Sequence, residues 1–226
     1  MNVENKKLVI FDFDGVLANT LEFSFKIHKD INGNLTWEKF QKFAMGDFHE
    51  EMRRSVEKES HIIPKNFYEL YEKNLNEIGI NEVLRATVSE LRNNHKLAIV
   101  SSTSSSYISN FLEKEKILSY FNDILGQDVH TSKIVKINTL LERYKIIPNY
   151  AVFITDSLGD ILEGNECKIK SIGVTWGIHG KETLKKGNPS AIIDDPRDLL
   201  ETIQNVLKLD SNASHLSHGR NNIGEQ

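Results

Sequence analysis

Cysteine is nearly absent: Cys167 is the only one in 226 residues. One thiol closes no intramolecular disulfide, so the fold must rest on its own core, and a reducing compartment, the cytoplasm, is the expected setting. Long apolar runs are missing as well. Leu97-Ala98-Ile99-Val100 is typical of those present, far short of the ~20 residues that span a bilayer, and no membrane partner is expected. Met1 leads into Asn2-Val3-Glu4-Asn5-Lys6-Lys7 with no apolar stretch behind a basic start, so no secretory signal is expected. There is no basic excess: 28 Lys+Arg against 32 Asp+Glu leave a net charge of −4, which argues against a nucleic-acid surface. No internal repeat is apparent.

What is present suffices for a packed core. Hydrophobic residues make up 39% and charged residues 27%, a balance that suits a soluble globular chain and disfavours global disorder. At ~150 residues per domain, the length predicts one full domain plus something smaller.

Four apolar runs are too short for helices and read as strands buried on both faces: Leu8–Phe11, Leu97–Val100, Ala151–Ile154 and Ile172–Val174. Ile124-Leu125 and Ala191–Ile193 are weaker candidates. Between them run helical stripes: Leu84/Val88/Leu91, Tyr107/Ile108/Phe111/Leu112, Ile134/Ile137/Leu141/Tyr144, and Leu199/Ile203/Val206 after Pro196. This alternation predicts an α/β fold with a parallel sheet covered on both sides. Residues 16–79 break it. They carry only helical stripes, Leu17/Leu21/Phe25, Trp37/Phe40/Phe43, Met52/Val56 and Phe67/Leu70/Tyr71/Ile78, and read as a small helical bundle inserted after the first strand. Residues 1–15 and 80–209 then form a discontinuous core. Residues 210–226 are polar and aperiodic and read as a disordered tail; His215 and His218 there are read as solvated histidines.

In open α/β sheets, ligands bind outside the carboxyl ends of the strands. Asp12-Phe13-Asp14-Gly15 follow the first strand, Ser101-Ser102-Thr103 the second run, and Thr155-Asp156, with Asp160 beyond, the third. Alternation points Asp12 and Asp14 the same way. Carboxylates crowded together repel unless a positive charge joins them, and a hard divalent cation such as Mg²⁺ is the economical solution. A carboxylate can also act as a nucleophile toward phosphorus. The serine run has an ordinary use as a helix cap and a further one as a phosphate site. Lys133 opens the Ile134–Tyr144 stripe and could offset the negative charge; Lys136 competes for the same role. Asp160 is explained passably by a helix dipole, Asp156 poorly.

The ordered set Asp12-x-Asp14-Gly15, Ser101, Lys133 and Asp156-x-x-x-Asp160 resembles the haloacid dehalogenase-like superfamily of phosphohydrolases over residues from about Leu8 to Leu207. The resemblance implies a Rossmann-like core with a helical cap at 16–79, as in the phosphoglycolate phosphatase and β-phosphoglucomutase-like group. It implies a Mg²⁺-dependent phosphatase acting on a small phosphorylated metabolite, as a monomer or homodimer. Asp12 would be the nucleophile and Asp14 the acid and base. Ser101, backbone N–H groups near Ser102, and Lys133 would hold the phosphoryl group. Mg²⁺ would take the carboxylates of Asp12 and Asp156 and the backbone carbonyl of Asp14, with Asp160 supporting it through water or hydrogen bonds. In the cap, Asp47, His49 and Arg53 are candidates to meet the leaving group. The sequence departs from common members of the group at Val16, Asn19, Ile134 and Thr155, the last where many have glycine. Asp14 argues against dehalogenation. A phosphomutase on the same core, and a non-catalytic binding protein, are the competing readings.

Overall fold

The computed structural model describes residues 6–31, 33–43 and 67–208. The chain runs β1 (Lys7–Phe11), α1 (Leu21–Ile31), α2 (Trp37–Phe43), α3 (Phe67–Glu77), α4 (Glu82–Asn94), β2 (His95–Val100), α5 (Ser105–Lys114), β3 (Asp123–Leu125), α6 (Lys133–Tyr144), β4 (Ala151–Thr155), α7 (Leu158–Glu166), β5 (Lys170–Val174), α8 (Lys181–Leu184), β6 (Ala191–Ile193) and α9 (Leu199–Lys208). All six strands pair in parallel, in the order β3-β2-β1-β4-β5-β6. The weak strand candidates are thus the two edges, where short strands limit unpaired backbone.

Strand alternation divides the core in two. Val9, Phe11, Leu97, Ile99, Val152 and Ile154 enter one buried cluster with the inner faces of α4, α5 and α9. Their neighbours Leu8, Ile10, Ala98, Val100, Ala151 and Phe153 enter another, against Ile137, Leu140 and Leu141 of α6. Period-2 side chains with helices on both faces explain why each strand reads as a continuous apolar run. Cys167 is buried and unpaired, and burial pushes its thiol up to about 11, so it is chemically quiet. Among the described residues, no helix is long and apolar enough to cross a membrane.

The inserted segment packs closely against the sheet layer. Val16, Leu17, Ala18, Ile27, Tyr71 and Leu75 share the larger cluster with Phe11 and Phe13. Two expected stripes are corrected. Leu17 is not helical: residues 13–18 form a tight turn in which Val16, Leu17 and Ala18 all donate to the Phe13 carbonyl, and α1 begins at Leu21. Leu70 is 40% exposed, and the buried pair on α3 is Tyr71 and Leu75, because Leu70 lies one position off that i, i+4 row. The Met52/Val56 stripe lies outside the described residues.

Candidate active site

The order of the strands reverses between β1 and β4, which places the crevice at their carboxyl ends. Asp12 follows β1, and its N–H continues the ladder to the Ile154 carbonyl at 2.9 Å. Asp156 follows β4. Phe13 between the two acids of β1 is fully buried, edge-on to Phe111 at 5.3 Å, as the alternation requires.

One ammonium organises the charged groups. Lys133 Nζ donates to Asp12 Oδ2 at 2.8 Å and to Asp160 Oδ2 at 2.7 Å. It starts α6, which the smaller core cluster holds against β1 and β4. Its competitor Lys136 is buried too, but its Nζ donates to the Ser101 and Gly126 carbonyls at 2.6 and 3.4 Å. Burial, and then repulsion from Lys133, lowers Lys136 to about 8. Lys133 goes the other way: burial disfavours its charge, but Asp12 and Asp160 outweigh that and hold it above its ordinary value.

Three buried carboxylates thus share one cation. Burial opposes the charge of Asp160, but Lys133, a hydrogen bond with Asp12 and the Thr155 hydroxyl, at 2.7 Å, together hold it below its ordinary value. The uncompensated charge falls on the other two. Burial pushes Asp12 well up, with Lys133 opposing and Asp160 and Asp156 adding to the rise. Burial lifts Asp156 to about 7, although the Ile178 N–H donates to its Oδ2 at 2.7 Å. Groups so placed call for one more positive charge.

Space beside Asp156 is reserved as well. Gly15, at φ +70°, turns the chain back, and a Cβ there would meet Asp156 Oδ2 at 2.0 Å; one on Gly177 would meet the Asp156 Cβ at 2.1 Å. Only glycine fits either position. Among the described residues no three His, Cys, Asp or Glu side chains form a ready-made metal cage. The carboxylates of Asp12 and Asp156, both raised by burial for want of positive charge, are the hard oxygen donors that a cation such as Mg²⁺ prefers.

Among the described residues, Asp14 is held by hydroxyl groups. Its Oδ1 accepts from Thr20 Oγ1 at 2.8 Å and from the Tyr71 hydroxyl. Its Oδ2 accepts from Thr103 Oγ1 at 2.7 Å and Ser101 Oγ at 3.4 Å. Ser101 is fully buried and Ser102 half-buried, both on the loop after β2. The serine run does not cap α5 as expected. Ser104, at the cap position, makes no side-chain cap bond, and Asp128 takes the Ser105 N–H at 2.6 Å instead.

A family model of haloacid dehalogenase-like hydrolases matches residues 9–174. The chain belongs to this family. Among relatives of this haloacid dehalogenase-like hydrolase, a phosphoglycolate phosphatase from Vibrio parahaemolyticus is 29% identical over 124 residues, which is 53% of this chain and 54% of that protein. The match thus spans about half the length of that relative. A phosphoglycolate phosphatase from Synechococcus elongatus is 20% identical over 88% of this chain and 98% of its own. The pyrophosphatase PpaX of Oceanobacillus iheyensis is 23% identical over 87% and 96%. Among solved structures, a predicted phosphatase from Clostridium acetobutylicum superposes with a TM-score of 0.74 at 23% identity, covering 88% of this chain and 99% of that one. A haloacid dehalogenase-like protein from Streptococcus pneumoniae gives 0.70 at 19% identity, covering 88% and 99%.

Within this haloacid dehalogenase-like fold, Asp12, Asp14, Ser101, Lys133, Asp156 and Asp160 come together at one sheet edge. Asp47, His49 and Arg53 lie outside the described residues. Sequence reasoning missed Tyr71 and Thr103, and it treated Thr155 only as a departure from glycine. Thr155 bridges instead: its hydroxyl donates to Asp160 and accepts the Ser157 N–H at 3.1 Å. Its place next to Asp156 was the available signal. It also missed the segment 177–179, which joins Asp156 to α2: Gln41 Nε2 donates to the Ile178 carbonyl at 2.7 Å, and the His179 ring meets the Gln41 carbonyl at 2.9 Å.

Proposed function

We propose that the protein is a phosphatase that hydrolyses a small phosphorylated metabolite through an aspartyl-phosphate on Asp12. The observation that carries this reading is the pairing of Asp12, buried against Lys133, with Asp14 two residues on, held among the described residues by hydroxyl groups. An Asp12 carboxylate oxygen attacks phosphorus, and the bond from phosphorus to the leaving oxygen breaks. Asp14 gives its proton to that oxygen. Asp14 then takes a proton from water, the water oxygen bonds to phosphorus, and the bond to Asp12 breaks to free phosphate. Lys133, the Ser101 hydroxyl and N–H groups near Ser102 hold the phosphoryl oxygens, the positioning and charge stabilisation that phosphoryl transfer mostly needs.

Mg²⁺ fits the carboxylates of Asp12 and Asp156 and the Asp14 carbonyl, and when bound it supplies Lewis-acid neutralisation of phosphoryl charge. Asp160 supports this arrangement by fixing Lys133. Residues 16–79 serve as the cap over residues 1–15 and 80–209, and Asp47, His49 and Arg53 are the cap residues proposed to sort substrates. The relatives named for phosphoglycolate and pyrophosphate fit the same class of small, anionic phosphate substrate.

The test is release of phosphate from 4-nitrophenyl phosphate and from a panel of phosphorylated metabolites, with and without Mg²⁺. Mg²⁺-dependent release that disappears in Asp12→Asn is expected. Undiminished release by Asp12→Asn would refute the mechanism. Conversion of a sugar 1-phosphate to an isomer without free phosphate would assign a phosphomutase.

A further inference from the structure

Of the four hydroxyls on Asp14, those of Thr20, Tyr71 and Thr103 have no part in the chemistry above, and Tyr71 is the one that a helix carries. It arrives from α3, in the segment inserted between β1 and β2, whereas Ser101 and Thr103 belong to the sheet edge. Its placement is rigid. The Tyr71 ring is 6% exposed, edge-on to Phe23 at 5.4 Å, and 6.2 Å from Tyr107 of α5. Its helix is tied to α5 at the far end. Lys114 Nζ donates to the carbonyls of Leu75, Asn76 and Ile78 at 3.3, 3.1 and 2.5 Å, taking up groups a helix end leaves unpaired. Tyr68 also stacks on Tyr107 at 6.3 Å.

A ring so fixed has little choice of direction for its O–H. The Tyr71 hydroxyl donates to Asp14 Oδ1, and the Thr103 hydroxyl, 3.3 Å from it, donates its own proton to Asp14 Oδ2. Two hydroxyls on each carboxylate oxygen define the plane of the group. Ser101 at 3.4 Å is the weakest of the four, and Thr20 approaches from the chain just before α1.

Resting on the phosphatase reading, we propose that Tyr71 is a positioning residue whose fixed hydroxyl sets the plane of the Asp14 carboxyl toward the leaving-group oxygen. Acid–base competence then depends on the seating of α3 as well as on the sheet edge. Removing the hydroxyl weakens proton transfer to the leaving group and leaves phosphate binding and the Asp12 attack geometry in place, since neither touches Tyr71.

The variant is Tyr71→Phe, which keeps the ring and its packing, and the readout is kcat/KM with Mg²⁺ for two esters of similar shape. 4-Nitrophenolate leaves with little help, whereas phenolate needs the proton. The loss for phenyl phosphate is expected to exceed that for 4-nitrophenyl phosphate by about tenfold, the scale of a misoriented proton donor, with inhibition by inorganic phosphate unchanged. Equal losses on the two esters, or none, would overturn the proposal. A crystal structure of Tyr71→Phe gives a second readout: a rotated Asp14 carboxyl supports the assignment, and an unmoved one overturns it. Wild-type protein that cleaves neither ester would refute the phosphatase reading itself, and the crystallographic comparison would still decide the part played by Tyr71.

Discussion

Asp12 and Asp14 stand two residues apart and are held in opposite ways. Asp12 belongs to a buried nest of ions, with Lys133 between it and Asp160 and with Asp156 across the strand switch. Asp14 is half-buried in a ring of neutral hydroxyls from Thr20, Tyr71, Ser101 and Thr103. The ionic side is stiff because every group there needs its partner: moving one charge strands another in a medium that solvates it poorly. The hydroxyl side has no such debt. Each donor can be lost singly, with no buried counter-ion left behind. A nucleophile that must stay aligned sits well in the first setting, once a further positive charge offsets its burial. A group that must exchange protons with substrate and water sits well in the second.

The sharpest way to break the comparison is Lys133→Met. It removes the one cation from three buried acids, and unfolding in urea at neutral pH should show a loss of about 3–5 kcal/mol, the usual cost of orphaning one side of a buried pair. The matching change on the hydroxyl side, Thr103→Val, should cost about 1.5 kcal/mol, the low end for one hydrogen bond to a carboxylate that keeps its other donors. Equal losses would mean that the two sides are not energetically distinct. Metal comes next. Adding Mg²⁺ at 100 times its Kd should stabilise the wild type by about 2.7 kcal/mol over an EDTA-treated sample. Asp156→Asn should lose most of that gain, because it removes a negative ligand. An unchanged gain in Asp156→Asn would place the cation away from the ionic side.

The two sides were also unequally legible in the sequence. The strand ends could be read because β1, β2, β4 and β5 are buried on both faces and show as unbroken apolar runs, so that Asp12, Ser101 and Asp156 fall where those runs stop. The choice between Lys133 and Lys136 could not be read. They lie three apart on one helix and both are buried, and only the offset of α6 against the sheet sends one to Asp12 and the other to the Ser101 carbonyl. Thr155 looked like a defect because its partner, Asp160, is one helical turn away and reached only once β4 and α7 meet. Tyr71 was hidden differently. Periodicity reports where a ring is buried and says nothing of where the oxygen at its tip ends. The capping of α5 by Asp128, and the join from Gln41 to Ile178 and His179, depend on loops whose paths no local pattern encodes.

The smallest effect concerns pH on the hydroxyl side. His28 of α1 is buried, its ring 5.0 Å from Phe67 and 5.5 Å from Phe40, with Nδ1 2.7 Å from the Ser24 carbonyl. Burial lowers its pKa, the Ser24 carbonyl only partly opposing. A base lowered in the folded state binds its proton less readily there than in the unfolded chain. Stability is therefore full above the unfolded value, 6.5, and falls as pH drops through it toward the lower folded value. The loss acts where α1 meets the start of α3, the helix that carries Tyr71, so it bears on the hydroxyl side. Urea midpoints measured from pH 7.5 down to pH 5.5 should fall more steeply for the wild type than for His28→Phe, which keeps the ring packing and cannot take a proton. Parallel curves for the two proteins would show that His28 does not couple pH to this part of the fold.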